Sequence, residues 1–523
     1  MSAAARFELD DASVVVVIGT GAGGATVGNE LAQKGVKVVC LEAGPRLSLS
    51  DIRNDRSAMF AKLTWLDPRV GSGDLDPNLP AFICKTVGGT TVHWAGVALR
   101  FQSYDWQPRS TYGAIPGANL IDWPTLHAEM QPWYDRAEKK MGVCGSVHTG
   151  LPRLPGNNNY RVLAYGAHKL GYREVHTANI AVNSRPYDER PGCLEIGFCM
   201  SGCAIGAKWS TLYTEVPRAE KTGNFELRSD CQAVRIEHDK SGRASEVVYK
   251  DARGTDQRQR ARAVCVAGNA IETPRLLLLS RSPMFADGLA NSSGQVGHNY
   301  MTHTTGAAFA VMPGEVHADR GTQMAGIVMD EGRHEANRDF VSGFLLEMLP
   351  PQGVLNLARN TQPGAWGRDY ARTIENYRNV AGLWIVGEDM PQHGNSVTLD
   401  PTVRDAHGLP VAHVHHTDHP NDTAIRARGW QIARSIYEAA GARSVHTRDP
   451  FAATHNMGTC RQSVKARDGV CNKFGQTHDV RNLFISDGSQ FTSGTTQNPT
   501  LTIVALAMRQ ADYIERLMLR REL

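Results

Sequence analysis

Val14-Val-Val-Val-Ile-Gly-Thr-Gly-Ala-Gly-Gly-Ala25 is the stretch on which the fold turns. Five apolar, β-branched residues in a row, closed by glycines, read as a strand buried on both faces, as parallel sheets require. Residues 19–24 read as a turn, 25–34 as a helix and 36–41 as a second strand, which makes one βαβ unit. Gly19, Gly21 and Gly24 fit G-x-G-x-x-G. Such glycines permit a tight turn and let a diphosphate lie against the helix N-terminus. Glu42 falls at the end of the second strand, where an acid accepts hydrogen bonds from an adenosine ribose. The unit predicts a dinucleotide-binding domain without choosing between NAD and FAD.

Outward from that unit, polar loops rich in Pro and Gly occupy regions near 67–80, 145–159 and 184–191. Residues 224–251 alternate apolar and polar side chains, which predicts an antiparallel ribbon. Residues 263–267 read as another buried strand, with a helix over 271–280 behind it. From about 306 to 443 the pattern changes to long mixed segments, read as a substrate domain. No internal repeat or low-complexity tract is present.

The chain has 523 residues, 41% hydrophobic and 21% charged, an ordinary globular composition that excludes disordered and fibrous classes. A net charge of +3 without a basic run does not point to nucleic acid or an anionic membrane, so a small-molecule substrate is expected. No apolar stretch is long enough to cross a bilayer. Glu8, Asp10 and Asp11 precede the first apolar run, unlike the positively charged start of a secretory signal. Ten scattered cysteines do not make a disulfide framework.

Three of the ten stand together. Cys193, Cys199 and Cys203 are spaced C-x5-C-x3-C among small residues, so backbone N–H groups can approach the sulfurs as an iron-sulfur cluster needs. A disulfide with a spare thiol, a zinc site and plain buried cysteines are the alternatives, zinc lacking a convincing fourth ligand nearby. A cluster held by three thiolates would be the three-iron form unless Cys84, Cys144 or Cys231 completes it. His413, His415, His416 and His419 are read as structural, because no companion Cys or H-x3-H helix supports a metal site.

Six blocks, running nearly end to end, carry a resemblance to the glucose-methanol-choline (GMC) flavoprotein oxidoreductases. They are the glycine loop with Leu41-Glu-Ala-Gly44, Val87-Gly-Gly-Thr-Thr-Val-His-Trp94, Ala267-Gly-Asn-Ala-Ile-Glu-Thr-Pro274, Val296-Gly-His-Asn-Tyr-Met301, Thr454-His-Asn-Met-Gly-Thr459, and Asn482-Leu-Phe-Ile-Ser-Asp487 with Asn498-Pro-Thr-Leu-Thr502. The resemblance implies an α/β fold in which an FAD-binding Rossmann-like domain, residues 1–305 and 445–523 with the cysteine segment 185–210, is interleaved with an α+β substrate domain, 306–444.

It also implies site residues. FAD would be held by Gly19, Gly21, Gly24, Glu42 and Ala43, by the ring-wrapping block Gly88, Gly89, Thr91, His93, Trp94, Ala95 and Gly96, by Val234 and Ala267, and by Asp487, Asn498, Pro499 and Thr500. The helix following Asn498 would aim its N-terminus at the flavin pyrimidine carbonyl. His93 either bonds covalently to the flavin, as the matching histidine does in pyranose oxidases, or packs against the ring beside Trp94. His455 would take the hydroxyl proton while Asn498 holds the substrate oxygen.

Within the family, the chain is most similar to bacterial flavoprotein dehydrogenase subunits for gluconate, glucose, fructose or sorbitol, which share an N-S-R-P-Y-D segment like 183–188 and a three-cysteine cluster of the 3Fe-4S type. Met457-Gly458-Thr459-Cys460 and Asn498-Pro499 depart toward pyranose oxidases. The expected activity is FAD-dependent oxidation of a sugar, polyol, sugar acid or glycoside. A pyranose-type oxidase, a glycoside 3-dehydrogenase and an electron-transfer flavoprotein subunit are the competing readings. The resemblance further implies a small chaperone-like subunit, a cytochrome c acceptor, and a periplasmic location with membrane attachment only through partners; a cytoplasmic location is the alternative.

Overall fold

The computed structural model describes residues 7–351, 353, 357–358, 364, 366–448 and 454–523. The opening unit forms as β1 (Val15–Ile18), α1 (Ala22–Gln33) and β2 (Val38–Leu41). β1 is the middle strand of a five-stranded parallel sheet. β2 and then Phe225–Arg228 lie on one side of it, Ala263–Val266 and then Leu483–Ile485 on the other. Both faces are covered, which is why the strand reads as an unbroken apolar run. Val15 and Val17 pack with Leu31, Ala507 and Ala511, whereas Val16 and Ile18 pack with Leu277 and Val480. The last quarter of the chain thus returns to complete the sheet that the first residues begin.

Residues 224–251 divide where the sequence predicts one ribbon. Gln232–His238, Ala244–Lys250 and Asp256–Arg260 form an antiparallel sheet, but Phe225–Arg228 is a parallel edge strand beside β2. Only Phe225 of that strand is fully buried, and an edge strand covered on one side shows the same alternation as a ribbon.

The second body is a six-stranded sheet in the order Ser444–Arg448, Thr304–Val311, Val380–Gly387, Phe344–Met348, Gly326–Val328, Val175–Thr177, antiparallel throughout. It therefore takes strands from both sides of the span 306–444. Helices Asn158–Lys169 and Pro420–Ala439 cover one face, with Ile385 against Gly429 and Gly387 against Ile425. Side chains alternate along a strand, so Trp384 and its cross-strand partner Glu347 stand on the opposite face.

A three-stranded sheet of Val70–Gly73, Pro410–His416 and Ser396–Arg404 carries most of the histidine-rich stretch. His413 and His415 share one face, where the Ser72 hydroxyl bonds both rings, at 2.8 and 2.9 Å. His416 turns the other way, 3.8 Å from Asp389, and the His419 ring caps helix Pro420–Ala439 by accepting the Asn421 N–H at 3.1 Å. Among the described residues, no helix is long and apolar enough to cross a membrane.

Candidate active site

The end of β1 makes the floor of a long cleft. Gly19 has φ +97, and a Cβ there would lie 2.4 Å from the Ala267 carbonyl oxygen, so only glycine lets the chain turn against the neighbouring strand. Thr20 ties the loop together. Its N–H and hydroxyl donate to one Glu42 oxygen at 3.0 and 2.6 Å, and its hydroxyl oxygen accepts the Gly88 N–H at 2.9 Å. Glu42's other oxygen accepts the Gly44 N–H at 3.0 Å. Burial raises the Glu42 carboxyl, while the Thr20 and Gly44 hydrogen bonds hold it down.

The residues lining the cleft include Gly19, Gly21, Glu42, Ala43, Gly89, Val234, Ala267, His455, Asp487, Pro499 and Thr500. No side chain caps the first turn of α1, which leaves its N–H groups for an anion. The carboxylate of Asp487 is spent inside the fold: it accepts from the Asn269 and Ser489 N–H groups and from the Thr273 and Ser489 hydroxyls. Open floor, uncapped helix and an acid at the strand end fit FAD.

The other residues expected at the cofactor stand around the cleft. Gly24 lies beneath the loop, where a Cβ would be 2.1 Å from Gly19 O. Gly88 has φ +99, and its carbonyl accepts the Thr91 hydroxyl at 2.6 Å. His93 ends the short helix Gly89–Val92, its ring held down to about 4 by burial and by Lys208. Trp94 donates its indole N–H to Trp209 O at 2.9 Å. Half-buried Ala95 precedes Gly96, whose carbonyl accepts the Ala181 N–H at 2.7 Å.

His455 is half-buried, with its ring edge-on to His303 and 5.5 Å from Trp384. His455 Nδ1 lies 2.8 Å from His303 Nδ1. Burial, and secondarily His303, pushes His455 well below the usual histidine range, so the ring is neutral at physiological pH and suited to take a proton.

Asn498, 5% exposed, has an unpartnered side-chain oxygen. It stands beside Glu347, whose carboxyl is fully buried and pushed up to about 8 by burial, with Asn498 opposing the shift. Sequence reading missed Glu347, Trp384 and His303. Only His303 left a trace, two residues beyond the block that ends at Met301.

A buried carboxyl titrating near 8 is a pH-dependent cost to the fold. Below its unfolded value the protonated form is present in both states, and as pH rises toward 8 the unfolded state ionises first, so stability falls. A glutamine in its place would mimic the protonated acid at every pH. Glu347→Gln is expected to melt close to wild type at pH 5 and above it at pH 8; parallel melting curves at both pH values would refute the assignment.

Cys193, Cys199 and Cys203 are all free and partly exposed. The Cys193 sulfur accepts the Glu195 N–H at 3.3 Å and lies 3.6 Å from the Thr322 hydroxyl. Buried Lys208 joins this loop to the ring-wrapping block, donating to Cys199 O, Trp94 O and Val92 O at 2.5, 2.5 and 3.1 Å. Burial brings its ammonium down to about 8, against the pull of Cys199 and Cys203. Among the described residues, no group of three or more His, Cys, Asp or Glu side chains converges as a metal ligand set. The three thiols share one neighbourhood: Cys203 acts electrostatically on Cys193, and both act on Cys199.

Comparisons with known proteins agree with this architecture. Two family models, each described as GMC oxidoreductase, match residues 14–305 and 391–507. A 2-methyl-1,2-propanediol dehydrogenase of Mycolicibacterium austroafricanum is 35% identical, covering 97% of this chain and 96% of the relative. A fructose dehydrogenase large subunit of Gluconobacter japonicus is 30% identical over 96% of this chain and 97% of the relative. Among solved structures, pyridoxine 4-oxidase from Mesorbium loti superposes with a TM-score of 0.68 at 15% identity, covering 96% of this chain and 99% of that one.

Proposed function

The chain belongs to the GMC oxidoreductase family, and from that premise we propose that it is an FAD-dependent dehydrogenase oxidising an alcohol carbon of a sugar, polyol, sugar acid or related diol to a carbonyl. The observation that carries the reading is a neutral, hydrogen-bonded histidine, His455, at a cleft that also contains the glycine loop. Relatives named for a diol and for fructose favour small polyhydroxy substrates.

FAD, when bound, supplies the acceptor for the carbon-bound hydrogen. His455 takes the hydroxyl proton as that hydrogen departs, and its burial keeps it neutral beforehand. The Asn498 amide donates to the substrate oxygen without competing for the proton. The helix Thr500–Leu519 starts at Pro499 with no side-chain cap, and its first-turn N–H groups favour negative charge at the cleft. Glu42, Val234 and Ala267 would flank the adenosine end, and Gly88 to Gly96 would wrap the ring. His93 is kept neutral, which leaves a ring nitrogen unprotonated for the covalent linkage proposed there; a flavin band that survives denaturing gel filtration would support it.

A panel of diols, sugars, polyols and sugar acids with a dye acceptor tests the reading. Bleaching of the flavin by one class, with turnover in dye and little peroxide, is expected. Abundant peroxide without dye would favour an oxidase, and no bleaching by any alcohol would favour an electron-transfer subunit.

The 3Fe-4S cluster at Cys193, Cys199 and Cys203 is a finer proposal, supported by spacing, by the shared neighbourhood around Lys208 and by the resemblance. The proton and hydride steps above do not depend on it. Cys203→Ser is expected to lower iron and sulfide content while substrate still bleaches the flavin. Wild-type protein prepared anaerobically without iron or sulfide would reduce the trio to a structural element. The proposal extends to a small chaperone-like subunit, a cytochrome c acceptor and a periplasmic location; co-expression of neighbouring genes followed by cell fractionation tests that assembly.

A further inference from the structure

We propose that His303 is a positioning residue that fixes which ring nitrogen of His455 serves as the base, an inference that rests on the reading of His455 as that base. His303 is 2% exposed, and its Nε2 lies 2.8 Å from the Gly494 carbonyl oxygen. A carbonyl only accepts, so Nε2 carries the hydrogen, and a neutral imidazole then presents a lone pair at Nδ1. That lone pair faces His455 Nδ1 at 2.8 Å. Two lone pairs cannot meet at that distance, so His455 Nδ1 donates and its Nε2 is left bare. The rings meet edge-on, at 88°.

The argument needs a neutral His303, since an imidazolium would donate from Nδ1 and reverse the pair. Burial lowers the His303 ring below its ordinary value, opposed by Asp389 and by the Gly494 carbonyl. Asp389 is occupied by backbone: it accepts the Thr302 N–H at 2.7 Å and the His303 N–H at 3.1 Å. His416 lies 3.8 Å from the same carboxylate. Asp422, on the helix behind, is pushed well above the carboxylate range by burial and by Asp389. His303 has φ +65, a left-handed conformation that is uncommon for non-glycine residues and in which histidine is enriched. Gly494 leaves the room, because a Cβ there would stand 2.8 Å from Asp389 Oδ1.

Three variants of the holoenzyme test this. His303→Phe keeps an aromatic ring and removes both hydrogen bonds; kcat is expected to fall about tenfold or more, the scale at which a misdirected base loses its contribution, with KM and FAD content little changed. His303→Asn tolerates φ > 0 and places its side-chain oxygen where Nδ1 stood, so it should recover kcat to within a few-fold of wild type. Nitrogen NMR of ¹⁵N-histidine-labelled wild type, with the His455 signals identified by their loss in His455→Ala, should show the Nδ1–H tautomer. A His303→Phe enzyme with wild-type kcat, an Asn variant no better than Phe, or an Nε2–H tautomer at His455 overturns the inference. Should the Phe variant not fold, the wild-type tautomer decides alone. Near-normal turnover in His455→Ala would instead overturn the reading of the base itself.

Discussion

His455→Ala is expected to lower turnover by about a hundredfold or more, the ordinary contribution of a general base, while FAD stays bound. The two effects separate because His455 is one residue among many along the cleft, whereas the glycine loop, Glu42 and Asp487 are held by their own hydrogen bonds. The pH dependence carries its own sign. A base works only when neutral, and His455 sits well below the usual histidine range because it is buried. The acid limb of kcat/KM should therefore fall below pH about 6.5, the value of an unperturbed imidazole, and should vanish from the residual activity of the alanine variant. Turnover within a few-fold of wild type, or an acid limb unchanged in the variant, would show that another group takes the proton.

The parts of the fold legible in sequence are those whose burial is local and complete. Residues 14–18 and 263–267 read as strands because both faces of a parallel sheet are apolar, and the glycines after Ile18 mark the turn. Strands that borrow their partners from afar left weaker traces. Val175–Thr177 is three residues long and finds its partner at Gly326–Val328; Val70–Gly73 lies in a polar loop region and pairs with Pro410–His416. The site divides in the same way. His455 and Asn498 sit in motifs, but the groups beside them come from the six-stranded sheet, whose register sets Glu347 opposite Trp384. No local spacing encodes that pairing. The cysteine trio is the reverse case, its spacing conspicuous in the local sequence and its thiols sharing one neighbourhood in the fold.

Gly23→Ala is expected to yield protein that is destabilised and largely free of flavin. Gly23 lies in the first turn of α1, and a Cβ there would fall 1.6 Å from the Ser486 carbonyl oxygen and 3.2 Å from Ile503. Helix propensity alone favours alanine over glycine by about 1 kcal/mol. The clash is with backbone at the end of Leu483–Ile485, which cannot swing aside as a side chain could, and overpacking of even one methyl in a tight core costs about 1–3 kcal/mol. Sterics therefore win, and the helix must move off the sheet, carrying its N-terminal N–H groups away from the cleft. Gly21 is the control: nothing lies within 4 Å of a Cβ built there, because that position faces the open cleft. Gly21→Ala should leave the melting temperature of the flavin-free protein near wild type and weaken FAD binding alone, whereas Gly23→Ala should lower both. Melting curves of flavin-free protein, with the flavin absorbance of each variant as purified, separate the two. Full flavin content and an unchanged melting temperature in Gly23→Ala would mean that α1 does not pack on the end of that strand.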